Sequence, residues 1–436
     1  MTLRTLVRLL PLCLLGAAPV HADRLRDCRI GAYALANGDV IDIAPTDGDA
    51  LRWRRFDGAT GALHEQADGR WTSTLGWTNR ADGVEARFSC ETGTVELGGQ
   101  RGKRIPLTSI DTRFDSDGTA LAGRLVLPPG KRPVAIAILV HGSEDSSALD
   151  FYAMQRLLPA RGVGVFVYDK RGTGASAGKY TQDFERLAAD AVAALDETRR
   201  LAGARARRVG YLGTSQGGWV APLAARRRPV DFVIVGYGLA VSVIDEDREA
   251  VELEMRLKGH SDADIASALD VATAAENVFE SGFTSGFAEL IAVQERHRAA
   301  PWFKDLHGNF THFILNLDEA QMRAMARTFE GWNTPFRYDP MPTLRALDTP
   351  QLWVLGADDL DAPSAETARR LRTLRGKPIS IAMFPGAEHG ITEYEVGADG
   401  GRASTRYAPG YFELLADYAR GRVRGAYGKA RVETVR

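Results

Sequence analysis

The sequence predicts an α/β protein in which helices flank a mostly parallel sheet, with a helical insertion and a small β-rich domain in front. From about residue 111, short apolar runs alternate with amphipathic helical stretches, the pattern of a parallel sheet. Mostly helical, charged sequence interrupts this alternation at about 240–345. Residues 23–110 instead contain short alternating runs between Asp-Gly and Asn-Gly dipeptides, which are typical of antiparallel turns.

The first residues have the pattern of an export signal. Arg4 and Arg8 precede an apolar stretch from Leu9 to Val20, and Val20-His21-Ala22 has small residues where signal peptidase cleaves. We expect a signal peptide at 1–22, cleaved after Ala22, and a periplasmic or secreted mature protein. A buried N-terminal helix or a retained anchor is the alternative. The apolar run is shorter than the ~20 residues of a membrane-spanning helix, so we expect no stable membrane insertion.

Net charge and cysteine content indicate which partners and which disulfide to expect. The 436 residues have a formal net charge of −1, so no basic field favours nucleic acid as a partner. Cys13 would leave with the signal peptide, and Cys28 and Cys90 would then form a candidate disulfide in an oxidising compartment. Two unpaired buried thiols are the alternative.

The β-rich domain, predicted at 23–110, contains no cluster of candidate catalytic residues. Its tryptophans Trp53, Trp71 and Trp77 would serve either as a binding face or as the apolar core that a small β-domain needs. We favour the core.

The catalytic domain is predicted at 111–436. Its strands are nearly continuous apolar runs, as expected where both faces of a parallel sheet are buried. A helix is predicted at 184–201, where apolar residues keep helical spacing. The predicted strands are 120–127, 134–140, 163–168, 208–212, 232–235, 352–355 and 379–384.

The strongest chemical signal is the segment Gly213-Thr214-Ser215-Gln216-Gly217-Gly218, between an apolar strand and a helix-compatible run. A nucleophile at a sharp strand-to-helix turn needs small residues two positions before and two after it. The turn exposes the serine hydroxyl and directs the helix N-terminus at the developing oxyanion. The sequence therefore predicts Ser215 as a catalytic nucleophile.

A second segment, His141-Gly142-Ser143, follows the strand at 134–140. A loop there presents a backbone N–H opposite the nucleophile turn, and two such donors stabilise the oxyanion of acyl transfer. We predict the main-chain N–H groups of Ser143 and Gln216 as these donors. His141 as the catalytic base is the alternative, although it precedes the nucleophile in the chain.

The acid and the base are expected after the last two apolar strands. Asp358, Asp359 and Asp361 follow the strand at 352–355, and His389 follows the strand at 379–384. Both segments lie at carboxyl ends of strands, where α/β sheets place their sites. His389 would accept the proton of the nucleophile, and an aspartate would fix its tautomer. The remaining histidines have no paired metal-ligand spacing, so we predict no metal.

With these motifs in place, residues 111–425 resemble an α/β-hydrolase of the bacterial esterase and serine-aminopeptidase-like group. The resemblance implies Asp359 as the acid, because the family acid lies three residues after the strand-ending Gly356 and four before Pro363. It also implies that the insertion at 240–345 is a cap. Glu144 and Asp145, after the oxyanion segment, depart from the family pattern. The matching segments are His141–Ser143, Tyr168–Ser176, Gly213–Gly218, Gly356–Pro363 and Gly386–Gly390.

These observations predict an exported serine hydrolase that cleaves a small-molecule carboxylic ester through an acyl-enzyme, with no metal and no organic cofactor. A peptidase or amidase with the same triad is the first alternative, and the acidic run Asp245-Glu246-Asp247 is the one feature that favours it. A helix first turn accounts for the same run. The second alternative is a binding protein that has lost catalysis. Six aromatic residues of the cap would either line an acyl pocket or pack the cap's own core: Trp302, Phe303, Phe310, Phe313, Trp332 and Phe336.

Overall fold

The computed structural model describes residues 27–46, 48–398 and 400–435. The predicted signal peptide at 1–22 lies outside the described residues. In the described part, the chain first forms a closed barrel and then a ten-stranded sheet flanked by helices. The division between the two falls between Arg104 and Thr108, a few residues before the predicted boundary at 110.

The N-terminal unit is an eight-stranded antiparallel barrel. Each strand pairs with the next, and β8 pairs back onto β1, so the closed sheet has no free edge. Its strands are β1 Gly31–Leu35, β2 Val40–Pro45, β3 Leu51–Arg55, β4 Thr60–Glu65, β5 Trp71–Leu75, β6 Ala81–Ser89, β7 Thr94–Leu97 and β8 Gln100–Arg104.

The barrel interior explains two of the three tryptophans. Trp53 and Trp71 are buried in its core, as predicted. Trp77 lies outside, 42% exposed, with its ring centroid 5.4 Å from that of Tyr407 in the second unit. The predicted disulfide is confirmed: Cys28 and Cys90 are bonded, with their Cα atoms 5.5 Å apart.

The large sheet has strand order β9-β10-β12-β11-β13-β14-β15-β16-β21-β20. Strands β11 to β16 run parallel to one another, whereas β9, β10, β20 and β21, at the two edges of the sheet, pair antiparallel. The strands are β9 Thr108–Ser116, β10 Thr119–Leu127, β11 Val134–Val140, β12 Gly164–Tyr168, β13 Ala206–Thr214, β14 Val233–Gly236, β15 Gln351–Gly356, β16 Ile379–Phe384, β20 Ala426–Tyr427 and β21 Ala430–Thr434.

Helices cover both faces of this sheet. The predicted helix at 184–201 is observed as α3, which Asp183 caps by accepting from the N–H of Arg186. The helices of this unit are α1 Ala148–Phe151, α2 Met154–Ala160, α3 Phe184–Ala202, α4 Gly217–Arg227, α10 Met341–Ala346, α11 Ser364–Arg372 and α12 Tyr411–Arg420. A second, three-stranded sheet follows β16: β17 Ala387–Glu388, β18 Thr392–Val396 and β19 Arg402–Tyr407.

The predicted helical insertion is present between β14 and β15 and has its own apolar core. Ser242 and Asp245 form a capping box at its first helix. Asp245 of the acidic run therefore lies in the first turn of a helix, as the second account of that run expects. Its helices are α5 Val243–Leu257, α6 Asp262–Glu280, α7 Phe287–His297, α8 Thr311–Ile314 and α9 Glu319–Met325. Across the described ranges, no helix has the length and apolarity to span a bilayer.

Candidate active site

Ser215 occupies a sharp turn between β13, which ends at Thr214, and α4, which begins at Gly217. Its φ is 51°, a left-handed conformation that a non-glycine residue rarely adopts, and its N–H donates to Gly236 O at 3.0 Å. Strain of this kind clusters at functional sites. The turn therefore has the geometry that the sequence motif predicts.

The glycines around Ser215 are required by close backbone packing. A Cβ on Gly213 would collide with the carbonyl oxygen of Gly217, and a Cβ on Gly217 would collide with the carbonyl oxygen of Val140. A Cβ on Gly142 would lie 3.3 Å from the Cβ of Ser215. The end of β11 and the loop after it are thereby brought directly against the serine turn.

Two main-chain N–H groups remain available at this junction. Among the described residues, no acceptor takes the N–H of Ser143 or that of Gln216. Gln216 is the N-cap of α4, so its N–H points outward from the positive end of an eleven-residue helix. The pair is suited to binding a developing oxyanion, which is the role predicted for it.

Hydrogen bonds to the carbonyl oxygens of the two neighbouring peptide units fix the orientation of the Ser143 N–H. The carbonyl and the N–H of one peptide unit point in opposite directions. The buried Lys170 donates from Nζ to Gly142 O at 2.7 Å, so the N–H of Ser143 in that peptide points away from the lysine. Tyr180 Oη donates to Ser143 O and holds the next peptide. Burial lowers the pKa of Lys170 to about 8.

His141 has the environment of a structural residue. It is buried, its Nε2 accepts from the N–H of Lys170 at 2.9 Å, and burial lowers its pKa. Its Nε2 is thus already occupied by a structural hydrogen bond. Glu144, the departure from the family pattern, lies with Oε1 3.5 Å from His141 Nδ1 and accepts from Tyr152 Oη.

His389 and Asp359 form a close pair. His389 Nδ1 lies 3.0 Å from Asp359 Oδ2 and 3.3 Å from Oδ1, and Oδ1 also accepts from the N–H of Ala362 at 2.8 Å. The Asp359 side chain is fully buried, whereas the imidazole is partly exposed to the cavity. This pairing orients the ring with Nε2 free, the arrangement of an aspartate that fixes the tautomer of a catalytic histidine.

The other two aspartates of the loop lie elsewhere. Asp358 Oδ2 accepts from Tyr394 Oη at 3.0 Å, and Asp361 lines the cavity while its carbonyl accepts from Asn309 of the insertion. Burial disfavours the charged imidazole of His389, but Asp359, followed by Asp361 and Glu246, outweighs it and raises the pKa to about 9.

Ser215 and His389 face one cavity of about 570 Å³. Within the described residues, no direct hydrogen bond joins Ser215 Oγ to the imidazole, and such contacts often tighten only when substrate binds. The remaining lining comes from three places: the oxyanion loop (Gly142, Ser143, Glu144), the segment at α1 and α2 (Phe151, Tyr152, Ala153, Met154), and Arg54, Thr214, Tyr237, Asp361, Gly390, Tyr407 and Phe412.

Of the two alternatives for the six cap aromatics, lining of this cavity is not observed, because none of the six is among the described residues that line it. Trp302 and Phe303 are buried in the cap core, and Phe310 and Phe336 pack against it. Trp332 lines a separate cavity of about 500 Å³ within the insertion, together with Phe336. Phe313 is exposed. Packing of the cap, the other alternative, accounts for most of these residues.

The barrel packs directly on the segment that carries His389. The residue precedes β18, and β19 returns to the barrel: Tyr407 N–H donates to Gly58 O at 2.9 Å, and Trp77 N–H donates to Ser404 O at 2.8 Å. Phe56 and Phe412 add an aromatic contact with ring centroids 6.1 Å apart. The N-terminal unit is therefore part of the wall of the site.

Sequence reasoning missed several residues of the site. Tyr237 directly follows β14, and its ring lies 4.8 Å from that of His389, edge to face. Its place after an apolar strand was a usable signal. Lys170 lies in the matching segment Tyr168–Ser176, to which sequence reasoning assigned no role at the site. Arg54 had no signal, because nothing in the sequence brings a barrel strand to the site.

The described part of the chain contains no group of three or more His, Cys, Asp or Glu side chains arranged to hold a metal ion. The polar groups at the candidate site are instead two main-chain N–H groups, which donate hydrogen bonds, and one imidazole, which accepts a proton. Their chemistry suits nucleophilic attack on a carbonyl carbon and stabilisation of the oxyanion that results.

Comparison with known proteins agrees with this chemistry. Residues 131–259 match the family described as serine aminopeptidase, S33. The match includes the oxyanion loop and Ser215 and ends before Asp359 and His389. No curated protein sequence matches the chain significantly.

Three solved structures illustrate the range of similar proteins. Est1E from Butyrivibrio proteoclasticus, with ferulic acid bound, is 16% identical (TM-score 0.39) over 71% of this chain and 96% of its own. The acylaminoacyl peptidase of Pyrococcus horikoshii is 16% identical (TM-score 0.41) over 82% of this chain and 52% of its own. The proline iminopeptidase of Mycobacterium smegmatis is 19% identical (TM-score 0.41) over 64% and 91%.

Proposed function

We propose that this chain, a member of the α/β-hydrolase superfamily, is an exported serine hydrolase that cleaves carboxylic esters of small molecules. One observation carries the proposal: a strained serine and an aspartate-paired histidine face one cavity, and the main-chain N–H groups of Ser143 and Gln216, beside the serine turn, have no acceptor among the described residues. Each of these groups is needed for acyl transfer, and together they are sufficient for ester hydrolysis.

In the proposed reaction, His389 Nε2 accepts the proton of Ser215 Oγ as the oxygen attacks the ester carbonyl carbon. Asp359, hydrogen-bonded at Nδ1, stabilises the imidazolium that forms. The carbonyl oxygen becomes an oxyanion, which the N–H groups of Ser143 and Gln216 bind. The imidazolium then gives its proton to the departing alkoxide, leaving an ester between Ser215 and the acyl group.

Water completes the cycle by the same steps. His389 takes a proton from the water molecule as its oxygen attacks the acyl-enzyme, and a second tetrahedral oxyanion forms in the same pair of donors. Collapse returns the proton to Ser215 Oγ and releases the carboxylic acid. No oxidant, reductant or further cofactor enters this balance.

A peptidase acting on free N-termini is the second candidate, because the acidic run places one carboxyl group near the site. Asp245 is used in the capping box, and Asp247 is used by the N–H and Oγ1 of Thr311. Glu246 lies close enough to His389 and Asp359 to interact electrostatically with both. Its carboxyl group is the feature that would hold a substrate ammonium.

Two considerations favour esters. Burial raises the pKa of Glu246 well above its usual range; His389 lowers this pKa, and Asp359 raises it further. The carboxyl group is therefore a weak partner for a cation until a ligand ionises it. Amide cleavage also requires that a poor amine leaving group be protonated and that a peptide be held in register. Ester hydrolysis needs only the groups already described.

The deciding experiment compares kcat/KM for short-chain 4-nitrophenyl esters with kcat/KM for aminoacyl 4-nitroanilides on one preparation. We expect the esters to be turned over well and the anilides poorly or not at all. If the anilides are the better substrates and Glu246→Gln abolishes the difference, the enzyme is an aminopeptidase. A matched control is Glu252→Gln, which removes a carboxylate from the same helix that pairs with Arg256.

Labelling by a fluorophosphonate tests the non-catalytic alternative. An active serine hydrolase becomes modified at Ser215, whereas a binding protein on this fold does not react.

Export is tested separately by the N-terminus of protein recovered from the periplasm or medium. A first residue of Asp23 supports cleavage after Ala22, and an intact Met1 on protein that remains in the cytoplasm contradicts export.

A further inference from the structure

Arg54 is the barrel's contribution to the catalytic cavity. Among the described residues that line it, Arg54 is the one that comes from the N-terminal unit. Side chains alternate between the two faces of a strand. On β3, Trp53 therefore points into the barrel core, and Arg54 points outward to the catalytic domain.

The guanidinium of Arg54 is poorly satisfied where it lies. Its side chain is only 11% exposed, and its Nε and Nη1 are buried without a hydrogen-bond acceptor in the described part of the chain. Its nearest carboxylate oxygen is Asp42 Oδ2, 3.5 Å from Nη1, which is an ion-pair distance rather than a hydrogen bond. Buried donors of a charged group are costly to leave without partners.

The charges behind Arg54 do not balance. Asp42 is fully buried, and its Oδ1 accepts from Nε of a second arginine, Arg156 of α2. Two guanidinium groups thus share one carboxylate, which leaves a surplus of one positive charge. The next carboxylate, Asp39, is already paired with Arg55 at 2.7 Å and with Arg161 at 3.4 Å.

The acidic residues of the cavity do not supply the missing partner. Glu144 accepts from Tyr152 Oη and lies beside His141, and no ion pair joins it or Asp361 to Arg54 within the described residues. Burial opposes ionisation of Glu144, but His141 and Tyr152 hold its pKa at about 2, so this carboxylate is charged. At the oxyanion loop the Glu144 carboxylate therefore lies near the Lys170 ammonium, whereas the barrel wall has a surplus positive charge.

We propose that Arg54 binds a carboxylate of the substrate, so that the enzyme prefers esters carrying an anionic group over neutral esters of the same shape. Arg54 lines the cavity, and a guanidinium pairs with a carboxylate through charge-assisted hydrogen bonds, which are stronger than neutral ones. The carboxylate of such a substrate would balance the surplus positive charge at the barrel wall. This inference rests on the proposed ester hydrolysis and specifies its substrate class.

Two matched substrate pairs test the preference and the side of the ester that carries the anion. On the acyl side, 4-nitrophenyl hemiglutarate is compared with 4-nitrophenyl 5-methylhexanoate. On the alcohol side, 4-acetoxybenzoate is compared with 4-isopropylphenyl acetate. In Arg54→Gln, we expect the ratio of kcat/KM, acid over neutral, to fall at least ~10-fold in one pair. The neutral esters should change less than ~3-fold.

Arg55→Gln is the control, because it removes the same charge from the adjacent residue of β3, which pairs with Asp39 and does not line the cavity. Its ratios should equal those of the wild type. Arg54→Gln should also melt no lower than the wild type, because Arg156 still neutralises Asp42. Unchanged ratios in Arg54→Gln, or an equal loss in Arg55→Gln, would overturn the proposal.

A binding measurement separates this inference from the hydrolase proposal. Monomethyl glutarate is titrated into Ser215→Ala and into Ser215→Ala with Arg54→Gln, neither of which needs to turn over. We expect at least ~10-fold weaker binding to the double variant. Equal affinity, or no binding to Ser215→Ala, refutes the anion site whether or not the protein hydrolyses esters. Turnover of the neutral esters, in turn, tests hydrolysis without reference to Arg54.

Discussion

Raising the pH from 7 to 9 should increase kcat/KM for a neutral ester by about 50-fold if His389 is the general base. The base works only when deprotonated, and its carboxylate neighbours raise its pKa to about 9. A base with that pKa is about 1% deprotonated at pH 7 and about half deprotonated at pH 9, so the rate rises about tenfold per pH unit well below pH 9 and levels off above it. A raised pKa thus moves activity to alkaline pH.

The perturbation is Asp361→Asn, which removes one of the charges that favour the imidazolium but leaves the Asp359 hydrogen bond intact. We expect the inflection of the pH profile to move to lower pH, and kcat/KM at pH 7 to rise accordingly. Asp348→Asn is the matched control. That side chain is exposed and pairs with Lys377, so its removal should leave the profile unchanged.

The assay records initial rates with a 4-nitrophenyl ester at the isosbestic wavelength of nitrophenol, with spontaneous hydrolysis subtracted at each pH. Lys170, whose pKa burial lowers to about 8, titrates in a neighbouring range. The inflection should persist in Lys170→Met if it belongs to His389. An inflection near 6.5, the ordinary histidine value, would refute the electrostatic reasoning, as would a profile that Asp361→Asn does not move.

Three further outcomes are expected. Ser215→Ala should lower turnover by ~10⁴-fold or more with an unchanged circular dichroism spectrum, because a triad acts as a unit, and retention of a tenth of the activity would mean that another residue is the nucleophile. Asp359→Asn should lower kcat/KM far more than Asp358→Asn, and the reverse order would exclude Asp359 as the acid. Replacing Cys28 and Cys90 by serine should lower the free energy of unfolding by at most ~4 kcal/mol, measured by denaturant titration, and an unchanged midpoint would mean that the bond adds no stability.

Local sequence was sufficient to predict most strands of the catalytic sheet. The apolar runs at 134–140 and 379–384 coincide with the observed strands Val134–Val140 and Ile379–Phe384, because a strand buried on both faces needs uninterrupted apolar residues. The nucleophile turn was predictable for a related reason: only small residues fit where Gly213 and Gly217 pack against backbone. These constraints act over a few residues and are therefore visible in the sequence.

The choice among the three aspartates shows where family resemblance added to local pattern. All three follow the same strand within a few residues, and only the spacing to a glycine and a proline favoured Asp359. In the structure, Asp359 approaches His389, whereas Asp358 pairs with Tyr394. Burial decides between them, because the loop directs one side chain inward and its neighbour outward.

The sequence by itself determined the layered fold, the order of the chemical motifs and the pairing of Cys28 with Cys90. Each depends on residues close in the chain or, for the disulfide, on a cysteine count that leaves one pairing once Cys13 is assigned to the predicted signal peptide. Tertiary structure alone decided that most of the cap aromatics pack within the cap and that Arg54 of the barrel lines the cavity with its charge unbalanced. Periodicity records only which face of an element is apolar, whereas the contact of Arg54 with a site assembled from residues 142–412 depends on how two separately folded units meet.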